Sequence, residues 1–287
     1  MCAHARRTVG RILRRACEIF DAGAKIAREM LGRMKAVHLP QQRTHGCEGC
    51  TGDDADFDLR MAFQPIVNTT TRSLFAQEAL VRGPNREPAG EILAKVNDSN
   101  RYRFDQACRV AAVKLAARLD VQSLLSINFM PNAVYEPERC LRTTVETAAA
   151  VGFPLERIIF EFSESEQVTD TGFLRFIVEH YEARGLRTAI DDFGAGYSGL
   201  NLLAELQPDI VKLDMGLCRG IDHERPRRSI VRGIAQFCRE LEIQLVAEGI
   251  ETRDEARCLQ DLGIELFQGY YFAKPAFEAQ PEVTFDA

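Results

Sequence analysis

From residue 60 onward the chain repeats one unit: a short apolar run closing on an acid, an amide or a lysine, then a longer segment with helical spacing. The apolar runs lie at 61–67, 74–81, 124–129, 158–162, 187–190, 210–213, 244–247 and 266–268. Helical patterns lie at 103–119, 138–151, 171–184, 227–241 and 254–262. Strands alternating with helices of crossover length specify a mainly parallel sheet covered by helices. Eight such strands favour a closed barrel over an open sheet, and 287 residues suffice for one barrel of about 250. The polar connection at 68–73 is too short for a crossover helix, so the first strand should pair antiparallel with the second. The expected fold class is therefore α/β, a TIM-like (β/α)8 barrel with an antiparallel first strand.

The polar residues follow a rule of position. Glu78 interrupts FAQEALVR, Asn128 closes LLSIN, Glu161 follows RIIF, Asp191 and Asp192 follow RTAI, Lys212 lies in IVKLD, Glu248 follows QLVA and Gln268 follows LF. In a barrel the loops after the strand C-termini build the active site, so these groups converge. A single buried acid reads equally well as a helix cap or half of a salt bridge; the whole set does not. Burying carboxylates together costs roughly several kcal/mol per charge unless cations compensate. Five carboxylates with an asparagine make a hard oxygen donor set, suited to Mg²⁺ or Mn²⁺ rather than zinc, and no histidine lies near these strand ends. Adjacent aspartates point in different directions in extended chain, so one of Asp191 and Asp192 can bridge two metals while the other serves one. Two metals about 3.5–4 Å apart clamp the attacking and leaving oxygens of an in-line phosphoryl displacement. The loop FGAGYSGL after Asp192, entering a helical stretch that Ser198 can cap, is on its own only a turn signal.

Residues 1–50 hold ten Lys or Arg against four Asp or Glu, so this segment is +6 and the remainder −12, for −6 overall. The acidic body argues against polymeric nucleic acid as a partner. Residues 1–56 read as a basic N-terminal extension. Within it, 8–36 has the spacing of a basic amphipathic helix, either solvated or lying on a membrane surface, and its small, partly alanine apolar face favours the first. Residues 39–56 read as a linker, and the barrel domain is expected over 57–287. Within HGCEGC, His45, Cys47 and Cys50 have part of a zinc spacing, with only His38 as an irregular fourth ligand; two free thiols fit better, and a redox switch through the CxxC pair is the sharper alternative. An odd count of nine cysteines in a chain of this size points to a reducing, cytoplasmic setting. No run of 18 apolar residues exists to span a bilayer.

Read in order, FQPIV at 63–67, EALVR at 78–82, SIN at 126–128, FEFSE at 160–164, DDFGAGYSGL at 191–200, VKLD at 211–214, AEGIE at 247–251 and FQGYYFAKP at 267–275 resemble EAL-domain cyclic-di-GMP phosphodiesterases. The likeness covers residues 60–280. It implies that Glu78, Asn128, Glu161 and Asp191 hold one metal and that Asp191, Asp192 and Glu248 hold a second, with Asp191 bridging. It further implies that Lys212 contacts the attacking water, that Glu248 can accept a proton in schemes using fewer metals, that Gln268 orders the site, and that Glu164 and Glu251 brace loops. Toward cyclic-di-GMP it implies an Arg82 contact to phosphate, with Gln64 and Leu80 positioning a guanine, and a homodimer. Val81, Gly83-Pro84 and Ala195 depart from the commonest family pattern without removing a ligand, and 78–128 resembles a subgroup with some light-regulated members. Two other readings stay open: a catalytically inactive EAL receptor for cyclic-di-GMP, which should have lost metal ligands, and another metal-dependent barrel enzyme, such as one stabilising an enolate. The pairing of Lys212 with Asp191-Asp192 suits water attack on phosphorus better than proton abstraction.

Overall fold

The computed structural model describes residues 57–134, 136–164, 166, 171–196 and 199–285, which build one closed sheet with helices outside it. A hairpin comes first, β1 (Arg60–Asn68) and β2 (Ser73–Arg82), followed by α1 (Ala89–Leu93), α2 (Arg101–Arg118), β3 (Leu124–Asn128), α3 (Pro137–Val151), β4 (Ile158–Ser163) and α4 (Thr171–Glu182). There follow β5 (Arg187–Phe193), α5 (Gly199–Leu206), β6 (Ile210–Leu213), α6 (Met215–Cys218), α7 (Arg225–Glu240), β7 (Gln244–Ala247), α8 (Arg253–Asp261), β8 (Leu266–Phe267) and β9 (Ala276–Phe277). Strands β2 to β8 run parallel in chain order. β1 closes the ring, antiparallel to both β2 and β8.

The barrel with an antiparallel first strand is thus the observed architecture. Most element ends shift by one or two residues, and three differences bear on the barrel mouth and its closure. β5 continues past Ile190 to Phe193, so Asp191 and Asp192 lie in the strand rather than after it. β8 stops at Phe267, leaving Gln268 just beyond it. A ninth strand, β9, shares the free edge of β1 with β8, pairing at Ala62 and Phe63 while β8 pairs at Val67 and Asn68. The expected basic helix at 8–36, the linker with His45, Cys47 and Cys50, and the Ser198 cap lie outside the described residues.

Two apolar layers follow from the period-two alternation of side chains. Inside the barrel, Ile66, Ala76, Ile159, Ala189, Ile210, Val246 and Leu266 form a plug in which none is more than 5% exposed, and Leu124 of β3 packs against it. Outside, Leu125, Ile127, Phe160, Phe162, Ile190, Val211, Leu213 and Phe267 meet the buried helix faces. The helices begin where the sequence offers start signals: Pro137 and Pro226 stand in the first turns of α3 and α7, and Thr252 with Glu255 forms a capping box on α8. Among the described residues no helix is long and apolar enough to cross a membrane.

A plug wedged between eight strands has little room to relax. Ile210→Ala is expected to lower stability by about 2–5 kcal/mol in urea denaturation. Phe176→Ala, at a side chain 55% exposed on α4, should stay within about 0.5 kcal/mol. Equal losses would contradict the plug.

Candidate metal centre

The same alternation that builds the plug builds the layer above it. Two residues toward the C-terminal end from each plug residue stand Glu78, Ser126, Glu161, Asp191, Lys212, Glu248 and Gln268. On the antiparallel β1 the step reverses, and Ile66 leads to Gln64. The polar groups therefore share one level of the barrel mouth because their strands are in register, not because any loop reaches across.

Lys212 stands in the middle, 1% exposed. Its Nζ lies 2.8 Å from Glu248 Oε1, 2.9 Å from Glu161 Oε2, 3.0 Å from Asp191 Oδ1 and 3.3 Å from Glu78 Oε2. Glu78 also accepts from Gln268 Nε2 at 2.7 Å and from Asn128 Nδ2 at 3.0 Å. Ser126 Oγ donates to Glu161, and Ser163 Oγ donates to Asp192 Oδ2 at 3.1 Å.

One ammonium faces four carboxylates, and the imbalance sets the titration of each. Burial works against the Lys212 charge, but Asp191, Glu161, Glu248 and Glu78 together hold its pKa well above the ordinary lysine value. Burial, with repulsion from Glu78 and Asp191, pushes Glu161 up to about 8 against the pull of Lys212. Burial likewise raises Asp191, and burial with repulsion from Asp191 raises Glu248 far above the carboxylate range. Glu78 alone of these four is lowered: burial raises it, but Lys212, Gln268 and Asn128 together outweigh that.

Carboxylates gathered in such excess could hold a cation. The carboxylate oxygens fall into two sets, Glu78 with Glu161 and Asp191, and Asp191 with Asp192 and Glu248, each set within 4.8 Å internally and sharing Asp191. Asp191 Oδ1 is buried and accepts no well-aligned hydrogen bond among the described residues, although Lys212 is near. An all-oxygen donor set with an unsatisfied buried lone pair fits hard divalent ions such as Mg²⁺ or Mn²⁺.

Consecutive strand residues should face opposite sides, yet Asp191 and Asp192 both join this cluster. The β5–β6 register breaks between Ile190 and Phe193, and Asp192 takes φ of +55°. This bulge with one left-handed residue turns both carboxylates to the mouth. Glu164 holds the loop beyond it, accepting from Gly194 N and Gly199 N at 2.7 Å each.

Of the other expected residues, Gln64 and Glu251 line a cavity of about 300 Å³ together with Glu78, Asp191, Asp192, Lys212, Glu248 and Gln268. Leu80 lines a neighbouring apolar cavity of about 380 Å³ that shares Glu78 as wall and is also lined by Asn128. Arg82 borders neither; its guanidinium donates to Val81 O at 2.7 Å. Glu251 pairs with Arg219. Sequence reasoning missed Ser126, Ser163, Arg219 and Tyr270. Ser126 and Ser163 had a signal, standing two residues before Asn128 and two after Glu161 on the same strand faces.

The EAL domain family model matches residues 55–275. A standalone EAL protein from Vibrio cholerae O395, solved in its c-di-GMP bound form, is 55% identical; the alignment covers 80% of this chain and 98% of that one at TM-score 0.78. Klebsiella pneumoniae BlrP1, in a manganese and cyclic diGMP complex at pH 9.0, is 34% identical over 78% of this chain and 57% of that one, TM-score 0.74. The blue light- and temperature-regulated antirepressor BluF of Escherichia coli strain K12 is 34% identical over 225 residues, 78% of this chain. This chain spans 56% of that relative's length.

Raised carboxylates make the metal-free protein sensitive to pH. With Glu161 near 8 when folded against 4.5 ordinarily, the folded state binds the extra proton, so this stability is complete below 4.5 and is lost as pH rises through about 8. Asp191 and Glu248 act in the same direction. The urea midpoint of chelator-treated protein should therefore fall across that window, and Mn²⁺ should restore it at the alkaline end. A midpoint that climbs with pH would refute this electrostatic account.

Proposed function

The chain belongs to the EAL domain family, and from that premise we propose that residues 57–287 form a phosphodiesterase domain hydrolysing one phosphodiester bond of cyclic-di-GMP to linear pGpG. The observation that carries this reading is the pair of carboxylate sets sharing Asp191 around Lys212.

Glu78, Asn128, Glu161 and Asp191 would hold one Mg²⁺ or Mn²⁺, and Asp191, Asp192 and Glu248 the other. When bound, such a pair neutralises developing charge on the phosphoryl oxygens and makes water a nucleophile near neutral pH. Lys212, kept protonated by its neighbours, serves as a donor to the attacking water and favours its hydroxide form; it is too firmly charged to act as a base. Glu248, whose carboxyl is the most exposed of the four around Lys212 at 15%, would be the proton acceptor only where fewer metals are held. Gln268 and Asn128 fix Glu78 through their amides. Glu164 braces the loop after Asp192, and Glu251 braces Arg219 at the cavity wall.

On the substrate side, Gln64 and Leu80 lie on two cavities that meet at Glu78, which suits a base held beside the reacting phosphate. Arg82 reaches a phosphate by exchanging its bond to the Val81 carbonyl for a charged acceptor. An apolar groove with Leu200, 64% exposed, and Ile230, 52% exposed, beside Gly194 supports a homodimer formed next to the loop that follows Asp192. Free Cys108, Cys140, Cys218, Cys238 and Cys258 support a reducing cytoplasmic setting.

A second reading, a catalytically silent cyclic-di-GMP receptor, draws on the BluF relative, whose name is that of an antirepressor. Retention of every expected carboxylate weighs against it. Purified protein with Mn²⁺ or Mg²⁺ should convert cyclic-di-GMP to pGpG by chromatography, and Glu78→Ala should slow this at least about 100-fold. Tight binding without product would favour the receptor; absence of binding would end both readings.

A further inference from the structure

A buried ion pair sits on α2, with Asp105 on the wall of the Leu80 cavity and outside both carboxylate sets of the metal centre. Asp105 and Arg109, one turn apart on α2, are 2% and 1% exposed, and Arg109 Nη2 lies 2.5 Å from Asp105 Oδ2. Burial pushes the Asp105 carboxyl up even with the Arg109 guanidinium beside it. Arg109 Nη1 finds no hydrogen-bond partner among the described residues. Apolar residues of similar volume often serve at least as well as such a pair, so its stabilising value is a weak reason for its presence.

What apolar residues cannot do is accept a hydrogen bond. The other oxygen of Asp105 accepts from the backbone N–H of Met130 at 2.9 Å. Met130 stands two residues beyond Asn128, and between them Phe129 is tied on both sides. Its N–H donates to Glu161 O at 2.9 Å, and its ring packs on Phe160 and Tyr181 at 5.6 and 5.7 Å. Arg109 in turn lies 5.7 Å from the centre of the Phe160 ring, the residue before Glu161. The loop beyond is held the same way, Asn132 N donating to Glu166 Oε1 at 3.1 Å. Asn128 itself is solvent-exposed at the end of β3, with Glu161 as its ladder partner, and its amide meets Glu78 at 3.0 Å, so the backbone just beyond it decides how that amide is presented.

We infer that Asp105 is a positioning residue: gripped by Arg109, its carboxylate anchors the Met130 N–H and thereby aims Asn128 at the cation site beside Glu78 and Glu161. The inference rests on Asn128 being a metal ligand in the proposed phosphodiesterase.

The experiment compares Mn²⁺ affinity by titration calorimetry in four full-length proteins. Asp105→Asn with Arg109→Met removes both charges but keeps an oxygen for the Met130 N–H, and should bind Mn²⁺ within about twofold of wild type. Asp105→Leu with Arg109→Met removes the acceptor as well and should weaken binding about 10- to 100-fold, the usual effect of losing an outer-shell partner. Wild-type affinity in the Leu/Met protein, or equal weakening in both double variants, overturns the anchor. Asn128→Ala tests the premise separately: unchanged Mn²⁺ affinity there refutes Asn128 as a ligand, whatever Asp105 does. Should the Leu/Met protein fail to fold, hydrogen exchange decides in the wild type. Slow exchange of the Met130 amide without metal is expected, and exchange at the rate of an exposed amide overturns the inference.

Discussion

The charge of Lys212 is the interaction on which the barrel mouth depends. Without it, Glu78, Glu161, Asp191 and Glu248 would bring like charges together in a region sealed from below by the apolar plug. A single ammonium lets the strands close, yet it cannot neutralise four acids. The remaining negative charge is relieved in the isolated chain by protons and, in the reading favoured here, by divalent ions. The same residue thus offsets part of the cost of burying these acids and leaves the site short of positive charge. Its burial also fixes its chemical role, because a lysine surrounded by carboxylates keeps its proton.

Loops carry the remaining precision, and several are locked by contacts only glycine allows. A Cβ at Gly194 would meet Leu217, one at Gly249 would meet Met215, and one at Gly269 would overlap the Ile250 backbone. The segments after Asp192, Glu248 and Gln268 therefore close against α6 or against each other without intervening side chains. Gly194 and Gly249 also take φ of +99° and +67°, where other residues are strained. Leu217 lines the same exposed groove as Leu200 and Ile230, so a protein docked there would press on the loop beyond the aspartates through one side chain.

Much of this was legible in the sequence because the barrel repeats a simple alternation. Each apolar run predicted a strand, and each polar residue at its end predicted a place at the mouth; Glu78, Glu161, Asp191, Lys212, Glu248 and Gln268 all converge there. Ser126 was readable by the same period and went unread because serine is unremarkable in a strand. The β5 bulge was not readable: the apolar pattern stops at Ile190, and the continuation of the strand through Asp191 with a left-handed turn at Asp192 accompanies the register break where β5 meets β6. β9 is two residues long and exists only because β1 has an edge left to pair. Asp105 was hidden for another reason: RFDQACRV reads only as a stretch of helix, and nothing in its pattern marks the Asp and the second Arg as the inward-pointing pair they are.

Register joins the fold to the site. Plug residues and mouth residues alternate on the same strands, so a slip of one position in any pairing would turn a carboxylate outward into the layer packed by Phe160, Phe162 and Val211 and bring an apolar side chain to the mouth. The plug penalises such a slip through lost packing, and the mouth penalises it through an unpaired buried charge. Both penalties act on the same degree of freedom. The arrangement of the carboxylates is therefore as firmly specified as the core, although the residues composing it would, taken one at a time, destabilise any interior they entered.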